Sequence, residues 1–546
     1  MSAANPAADS APAPVAAPTP AAPSFAQNQP LQGAERLWGT VALSAATFMN
    51  VLDSSIANVS LPAIAGDLGV SPNQGTWVVT SFGVANAIAV PLTGWLSQRF
   101  GQVRLFTLSV LLFTLASWLC GLAPNMATLI AMRALQGFVA GPMMPLAQTL
   151  LLSSYPPAMA GMAMALWAMT TLVAPVMGPL LGGWITDHTH WGWIFYTNIP
   201  VGILAAFVTW SIYQKRETQR AKLPIDTVGL TLLVLAVGCL QIMLDRGKEL
   251  DWFHSGEIIT LGIVAAVSGA FFIAWELTDK HPVVDLRLLK RRNFLVGSMC
   301  LSVAYSLFIG NLVLLPLWLQ QFMGYTSTQA GEMLAPVGLF AILLSPIVGK
   351  NVQKTDPRML ATFAFIMFAV VLLMRSHFNT QADFVTIMLP TFIQGIAVAF
   401  FFIPLTSITL GGLPPQQIAS ASGLSNFTRI VGGAFGTSIT ITLWQDRAAV
   451  HHAELTELVN RGSQASLGAL GNLEAMGMGT EQSLATINRL IDQQAFMLAS
   501  NDIFGGSALI FMLLIPTIWF AERWRPPVTA ASASKATPAA DAAAAH

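Results

Sequence analysis

Long apolar stretches follow one another along most of this chain and are separated by short polar segments. About 20 apolar residues in an α-helix span the hydrocarbon core of a bilayer, whereas a soluble helix keeps a polar face for water. The stretches here are about 18 to 25 residues long, and few of their positions are polar. The pattern therefore predicts an all-α, polytopic membrane protein with about 14 transmembrane helices.

The predicted spans fall into three groups along the chain. The first six lie near residues 37–58, 76–97, 103–122, 126–150, 158–185 and 191–212. Two more, near 225–244 and 257–277, lie between basic linkers. The last six lie near 293–320, 327–349, 359–376, 382–410, 416–443 and 503–521. We therefore divide the chain into a disordered tail (1–35), a six-helix bundle (36–214), a linker with two extra helices (215–292), a second six-helix bundle (293–522, including an external segment, 444–502) and a second tail (523–546).

The basic residues predict the orientation of these spans. If the spans alternate from a cytoplasmic N-terminus, most lysines and arginines outside them lie in the cytoplasm, as the positive-inside rule expects. A minority, including Arg375, is then assigned to the external side. The Ala/Pro-rich N-terminal tail lacks the basic start and compact apolar core of a signal peptide. We expect both termini to be cytoplasmic.

The composition excludes several classes of function. Only 10% of the residues are charged, and 26 basic residues balance 26 acidic ones, so no attraction to nucleic acid is implied. The three cysteines lie far apart in apolar stretches, and the eight histidines, including the pair at 451–452, show no metal-ligand spacing. We expect no cofactor and no metal site. Because no phosphate-binding motif of the G-x-x-x-x-G-K-[ST] form occurs, ATP-driven transport is also not indicated.

Three ionisable residues in apolar stretches are candidates for proton coupling. Asp53 and Arg133 lie inside predicted spans, where a charge costs about 3 kcal/mol at the helix centre and usually faces a wet cavity or a partner. The alternatives are that Asp53 lies near the end of its helix and that Arg133 bonds backbone carbonyls. Glu332 is a second candidate carboxylate, with an interfacial position as its alternative.

The first and last six spans share an internal repeat. The loop at 94–104 has the same layout as that at 349–358, with glycine at the helix end and arginine before the next span. The segment 133–137 likewise resembles 391–395, with Thr391 in place of Arg133. Parallel repeats are typical of transporters whose substrate site lies between the two halves.

Four motifs in order carry a family resemblance that covers residues 36–522: 52–62 in the first span, 94–104 in the following loop, 133–137 in the fourth span and 174–183 in the fifth. Together they resemble the fourteen-helix drug/proton antiporters of the major facilitator superfamily. The resemblance implies two six-helix major-facilitator bundles with two extra helices between them. Segments 244–253, 423–429 and 436–440 resemble the EmrB type of inner-membrane efflux pump. That type implies a periplasmic adaptor and, through it, an outer-membrane channel as partners.

The resemblance assigns roles to two motifs. In the family, the loop acts as a latch between conformations, here formed by Gly94, Gln98, Arg99, Gly101 and Arg104. Gln98 stands where the family usually has aspartate; it can accept a hydrogen bond but brings no charge, and a tight basic loop is the alternative. In the family, the fifth-span motif marks exporters and limits leak through the transporter; the alternative is that it serves only for close helix packing. Its residues are Ala174, Pro175, Gly178, Pro179, Gly182 and Gly183.

Polar and adaptable side chains within the spans are candidates for a mostly apolar substrate cavity, although any of them could simply pack between helices. These candidates are Gln136, Phe138, Met143, Met144, Trp167, Asn311, Gln320, Asn426 and Arg429. In the external segment, residues 449–458 and 481–498 have helical apolar spacing and predict short amphipathic helices that dock the adaptor or lie on the bilayer.

The leading hypothesis is a proton-coupled antiporter of the bacterial inner membrane that exports hydrophobic or amphipathic drugs from the cytoplasm or the inner leaflet, with membrane lipid as its surroundings. One alternative is an exporter of one defined metabolite, such as a fatty acid or siderophore. The other is a membrane-embedded lipid enzyme, which would concentrate catalytic histidines and carboxylates at one depth; here the histidines are scattered.

Overall fold

The computed structural model describes residues 29–156, 159–220, 224, 226–279, 282–352, 354–459 and 464–523, which form helices and no strand. The first half contains α1 (Gly33–Asp67), α2 (Pro72–Gly75), α3 (Trp77–Ala89), α4 (Thr93–Phe100), α5 (Gln102–Gly121), α6 (Met126–Ala140), α7 (Met143–Ser154), α8 (Ala160–His188), α9 (Trp193–Tyr196) and α10 (Asn198–Tyr213). The extra pair is α11 (Thr227–Arg246) and α12 (Gly256–Thr278). The second half contains α13 (Arg292–Phe322), α14 (Ser327–Asn351), α15 (Pro357–Arg375), α16 (Phe384–Ala399), α17 (Phe402–Leu410), α18 (Pro415–Leu458), α19 (Gln464–Ala475) and α20 (Thr480–Ile518).

The number of membrane spans is close to the prediction without reaching it. Within the described ranges, 11 helical segments are long and apolar enough to cross a membrane, or 12 if the bent pair α3–α4 counts as one span. The fifth and thirteenth predicted spans correspond to α8 and α18. Neither helix is included in this count. Only the first part of α8, Ala160–Pro175, is a shorter apolar helix, and polar residues recur along α18. The fold is thus an all-α polytopic membrane protein, and the count of 14 is not confirmed.

Prolines interrupt two of the spans that the sequence predicts as single helices. The axes of α3 and α4 differ by 64° at a break that contains Pro91. A milder interruption at Gly141 and Pro142 separates α6 from α7, and Met126–Ser154 still reads as one span. Proline lacks the backbone N–H that continues the helical ladder and collides with the preceding turn, so the helix bends or ends there.

Both ends of the described chain lie on one face of the molecule, which we call the chain-end face. The backbone N–H of Leu31, before α1, donates to the carbonyl of Ser154 at the end of α7, 3.0 Å away. Near the start of α8, a Cβ added at Gly161 would lie 2.3 Å from the carbonyl oxygen of Gly349, near the end of α14. The start of α15 then contacts the end of α20. The two halves therefore pack closely at this face.

The two extra helices lie along both halves, since α11 packs against α12 and α3, and the carbonyl of Leu244 in α11 also accepts from Ser438 of α18 at 2.9 Å. On the opposite face, the external segment differs from the prediction of short amphipathic helices. Residues 449–458 are the continuation of α18, and residues 481–498 are the first half of α20. Arg447 and His451 of α18 both contact Asp502 of α20, at 2.6 and 3.0 Å, and hold the two helices together. The spacing of apolar residues predicted helix correctly but could not show that each helix continues into a span.

Candidate functional site

Asp53 lies at the meeting point of three helices in the first half. Its side chain in α1 is buried, and Arg133 Nη1 of α6 donates to Oδ2 at 2.5 Å. The other oxygen, Oδ1, accepts from Gln136 Nε2 at 3.0 Å and from Asn198 Nδ2 of α10 at 2.7 Å. All these contacts are with donors, so both carboxylate oxygens are used within a buried cluster.

Arg133 is fully enclosed, with 0% of its surface exposed. Its Nε donates to the carbonyl of Val78 in α3 at 3.0 Å, and the ring centres of Phe82 and Phe195 lie 4.3 and 5.5 Å from its guanidinium carbon. Its Nη2 is buried without a hydrogen-bond partner in the described structure. Arg133 therefore bonds a backbone carbonyl, as its structural alternative expects, and also pairs with Asp53.

A second layer of polar groups fixes the orientation of this cluster. Asn198 also donates to Ser117 Oγ of α5 at 2.9 Å, and Ser117 Oγ in turn donates to the carbonyl of Phe195 at 2.8 Å. Cys120 contacts Gln136 Oε1 at 3.6 Å. The cluster therefore draws on α1, α5, α6 and α10. Asn198 escapes sequence reasoning because a lone asparagine in an apolar span carries no signal of its partner.

The fifth-span motif in α8 packs directly against the part of α1 that carries Asp53. A Cβ added at Gly178 would lie 2.4 Å from Ser55 Cβ, and one added at Gly182 would lie 3.3 Å from the carbonyl oxygen of Ile56. These glycines permit a close helix approach that any side chain would prevent. The remaining motif residues lie along the same helix. Ala174 is buried, and the carbonyl of half-buried Pro175 accepts a hydrogen bond from Ser55. A Cβ added at Gly183 would meet no atom within 4 Å, and the side chain of Pro179 lies outside the described part.

The loop between α4 and α5 contacts a carboxylate that comes from a distant segment of the chain, that of Glu217. Gly101 has a φ of +91°, and a Cβ there would lie 2.4 Å from Oε1 of Glu217, which follows α10. The Glu217 carboxylate accepts from the backbone N–H groups of Val103 and Arg104 at 3.1 and 2.8 Å. It thus caps the N-terminus of α5, where carboxylates are favourable. Sequence reasoning missed Glu217 because it lies 113 residues beyond the nearest of these N–H groups.

The rest of this loop faces solvent or the second half. Gln98, at the family's usual aspartate position, is exposed, and the guanidinium of Arg99 lies 5.3 Å from the ring centre of Trp95. Gly94 contacts α18, where an added Cβ would lie 2.9 Å from Ser420 Cα. Gly94 therefore joins the two halves at the chain-end face.

Arg429 lies between the two halves. It is 4% exposed, and its Nη2 donates to Asn426 Oδ1 at 2.8 Å and contacts Met144 Sδ at 3.9 Å. Three aromatic ring centres surround its guanidinium carbon: Tyr305 at 4.9 Å, Trp167 at 5.7 Å and Phe402 at 5.9 Å. We call these six residues the Arg429 cage. Four of them, Met144, Trp167, Asn426 and Arg429, were candidate cavity residues.

The other candidates lie elsewhere. Phe138 is 45% exposed on the outside of its helix, and Met143 is fully buried. Asn311 is buried within the second half, where it donates to Ser507 Oγ of α20 at 3.1 Å. Gln320 and Glu332 are exposed in α13 and α14. Gln136, as described, belongs to the Asp53 cluster.

Arg375, which the sequence assigned to the external side, is buried at the end of α15 away from the chain-end face. It ends α15, is 1% exposed, and donates to Gln394 Oε1 at 2.7 Å and Thr391 Oγ1 at 3.1 Å. In the repeat, Gln394 corresponds to Gln136, which accepts from Arg133 at 2.7 Å. Each half thus buries a guanidinium against the equivalent glutamine, but from different helices. The positive-inside count does not report burial, so the sequence did not show that Arg375 is enclosed between helices.

A bundle of membrane-crossing helices with a buried ion pair between them is typical of a membrane transporter. Comparison with known proteins agrees, since the sequence profile of the Major Facilitator Superfamily matches residues 43–437. The chain belongs to this superfamily and is a multi-pass membrane transporter.

Two relatives are similar over nearly the whole chain. The "Multidrug export protein EmrB" of Escherichia coli (strain K12) is 53% identical over 91% of this chain and 97% of its own length. The "Fatty acid resistance protein FarB" of Neisseria gonorrhoeae is 50% identical over 90% of this chain and 97% of its own length. Among solved structures, the proton:xylose symporter XylE matches with a TM-score of 0.55 at 13% identity, covering 88% of this chain and 96% of its own, which shows a shared fold.

Proposed function

We propose that this chain is a proton-coupled antiporter that exports hydrophobic or amphipathic drugs across the bacterial inner membrane. The observation that carries the proposal is the buried Asp53–Arg133 pair, at 2.5 Å, in a cluster built from four helices. The relatives support export as the direction, because one of them is named for multidrug export.

Protonation of Asp53 supplies the coupling step in this proposal. A protonated carboxyl would carry a hydrogen on one oxygen, yet both oxygens face donors from Arg133, Gln136 and Asn198. At least one of these contacts would have to open, and Arg133 would lose its counter-charge. A proton could thereby shift the relative positions of α1, α6 and α10, which links proton binding to the conformational cycle.

The two family motifs act around this cluster. The close contact of Gly178 with Ser55 would transmit movement of α1 to α8 and leave little room for leak. The loop from Gly94 to Arg104, capped by Glu217, would act as the latch at the chain-end face. We assign that face to the cytoplasm on the positive-inside rule.

The long α18–α20 hairpin on the opposite face supports a further part of the proposal. Its exposed surface would meet a periplasmic adaptor and, through it, an outer-membrane channel, in line with the resemblance to the EmrB type. A second candidate, export of one defined metabolite such as a fatty acid, is favoured by the printed name of FarB.

Proteoliposomes with an imposed pH gradient test the coupling. The readout is movement of two lipophilic dyes, cationic ethidium and anionic 8-anilino-1-naphthalenesulfonate, with and without a protonophore. We expect gradient-dependent movement of at least one dye by the unmodified chain and none by Asp53→Asn. Asp251→Asn, at an 88% exposed carboxylate, is the matched control. If Asp53→Asn moves dye as well as the unmodified chain, the coupling group lies elsewhere, and Glu332→Gln is the next variant.

A further inference from the structure

The Arg429 cage contains a cation without a counter-ion. None of the described carboxylates lies within ion-pair distance of the Arg429 guanidinium, whereas Arg133 is paired with Asp53. Its hydrogen bond to Asn426 is with a neutral amide. Burial of a charge without a charged partner is costly, and the three rings offset this cost only partly through cation–π attraction.

The described contacts leave part of the guanidinium available. The polar contacts with Asn426 and Met144 both use Nη2, so within the described structure the Nε and Nη1 donors are not taken by another side chain. A guanidinium presents its donors as a planar fork that matches the two oxygens of a carboxylate. Asn426 holds this fork in a fixed orientation.

The cage is divided between the two halves of the transporter. Met144 and Trp167 belong to α7 and α8 of the first half, whereas Arg429 and its other neighbours belong to α13, α17 and α18 of the second. If the halves separate, the methionine and indole leave, and the guanidinium remains with two rings on one wall of the opened space. An anion with an apolar body could then replace the lost contacts.

We propose that the Arg429 cage is a receptor for the negatively charged head group of lipophilic organic anions, and that such anions are the preferred substrate class. This inference rests on the proposed export function but not on Asp53, which lies in a separate cluster. The carboxylate would lie in the guanidinium fork, and the rings of Tyr305 and Phe402 would cover the apolar body. A lipophilic cation would be repelled by Arg429.

The test measures binding to the detergent-purified full-length chain without any proton gradient. The probe is radiolabelled 2-naphthoate, followed by scintillation proximity, with 2-naphthamide and 2-naphthylmethylamine as neutral and cationic competitors of the same shape. We expect 2-naphthoate to bind at least about 10-fold more tightly than either competitor, a difference of about 1.4 kcal/mol.

Three variants and a control locate the effect. Arg429→Gln should abolish the preference while leaving 2-naphthamide binding unchanged, and Arg429→Lys should keep part of it. Asn426→Asp retains the arginine and places a carboxylate at the present 2.8 Å contact, so it should also abolish the preference. This variant keeps the test decisive if Arg429→Gln does not fold. Arg489→Gln, at an exposed arginine of α20, should change nothing.

The outcomes separate this inference from the coupling proposal. Equal binding of the three compounds, no binding of 2-naphthoate, or an equal loss of all three in Arg429→Gln would overturn the anion receptor. A preference that persists in Asp53→Asn supports the receptor, whichever group couples the proton. Conversely, loss of dye transport in Asp53→Asn, with no charge preference in binding, would support coupling and reject the receptor.

Discussion

Replacement of Asp53 by asparagine removes the charge that faces Arg133 while keeping the size of the side chain. Asparagine has one oxygen and one NH₂ group, whereas Arg133, Gln136 and Asn198 all donate to Asp53. In either orientation of the amide, its NH₂ group faces a donor. The variant therefore loses a charge-assisted hydrogen bond and leaves an uncompensated cation in the buried cluster.

The magnitude follows from the burial of both partners, which are 3% and 0% exposed. Removal of one partner of a buried ion pair costs about 3–5 kcal/mol of unfolding free energy, mostly because the remaining charge is uncompensated. The double variant Asp53→Asn/Arg133→Gln removes that charge as well. We therefore expect it to be more stable than Asp53→Asn alone, although less stable than the unmodified chain.

The assay is thermal unfolding in detergent, followed by the intrinsic fluorescence of the 15 tryptophans at one fixed scan rate, because such unfolding is often irreversible. Asp251→Asn is the control, since its side chain is exposed and its left-handed backbone suits asparagine. We expect it to stay within about 0.5 kcal/mol of the unmodified chain. The reasoning is refuted if the double variant unfolds at or below the temperature of Asp53→Asn.

Three further predictions concern the packing and the loops. Gly178→Ala should cost about 1–3 kcal/mol of unfolding free energy and reduce dye transport. Gly183→Ala on the same helix is its control, because a Cβ added there meets nothing within 4 Å, and it should have little effect on thermal unfolding or dye transport. Glu217→Gln should weaken the cap of α5 by about 1 kcal/mol, measured as a lower unfolding temperature, and an unchanged temperature would contradict the capping role. The pKa of Asp356 is lowered from 3.8, chiefly by its hydrogen bonds from Arg358, so its stabilising contribution is full above pH 3.8 and is lost as the pH falls further. Asp356→Asn should reduce this loss of stability at acid pH, measured as unfolding temperature against pH. Identical pH profiles of the variant and the unmodified chain would exclude this contribution.

The sequence supports the fold well because the cost of exposing polar backbone to lipid leaves few alternatives to helices. Apolar length identified most spans, and the tight arrangement of glycines at positions 178 and 182 matched a real helix contact. The breaks were harder to predict, because Pro91 could have been accommodated in a continuous kinked helix. Polar spacing also concealed that α18 is one helix of 44 residues, longer than any single apolar stretch.

The site could be predicted only where a charge itself was the signal. Asp53 and Arg133 stood out because isolated charges are rare in apolar spans, although only the structure shows that the two side chains meet. Asn198 and Glu217 are ordinary polar residues whose roles depend on partners 145 and 113 positions away. Such distances are set by tertiary packing, which hydropathy does not encode.

The length of α18 gives the transporter a mechanical property. Its 44 residues extend about 66 Å at 1.5 Å per residue, roughly twice the thickness of the hydrocarbon core. On the proposed topology, in which α18 crosses the membrane from the chain-end face, about 30 Å of it would project beyond the far side, held to α20 by the contacts of Arg447 and His451 with Asp502. A rocking of the second half by about 10° would therefore sweep the tip sideways by several ångströms, as a lever arm magnifies a small rotation. Motions confined to the bilayer would thus become displacements of several ångströms outside it.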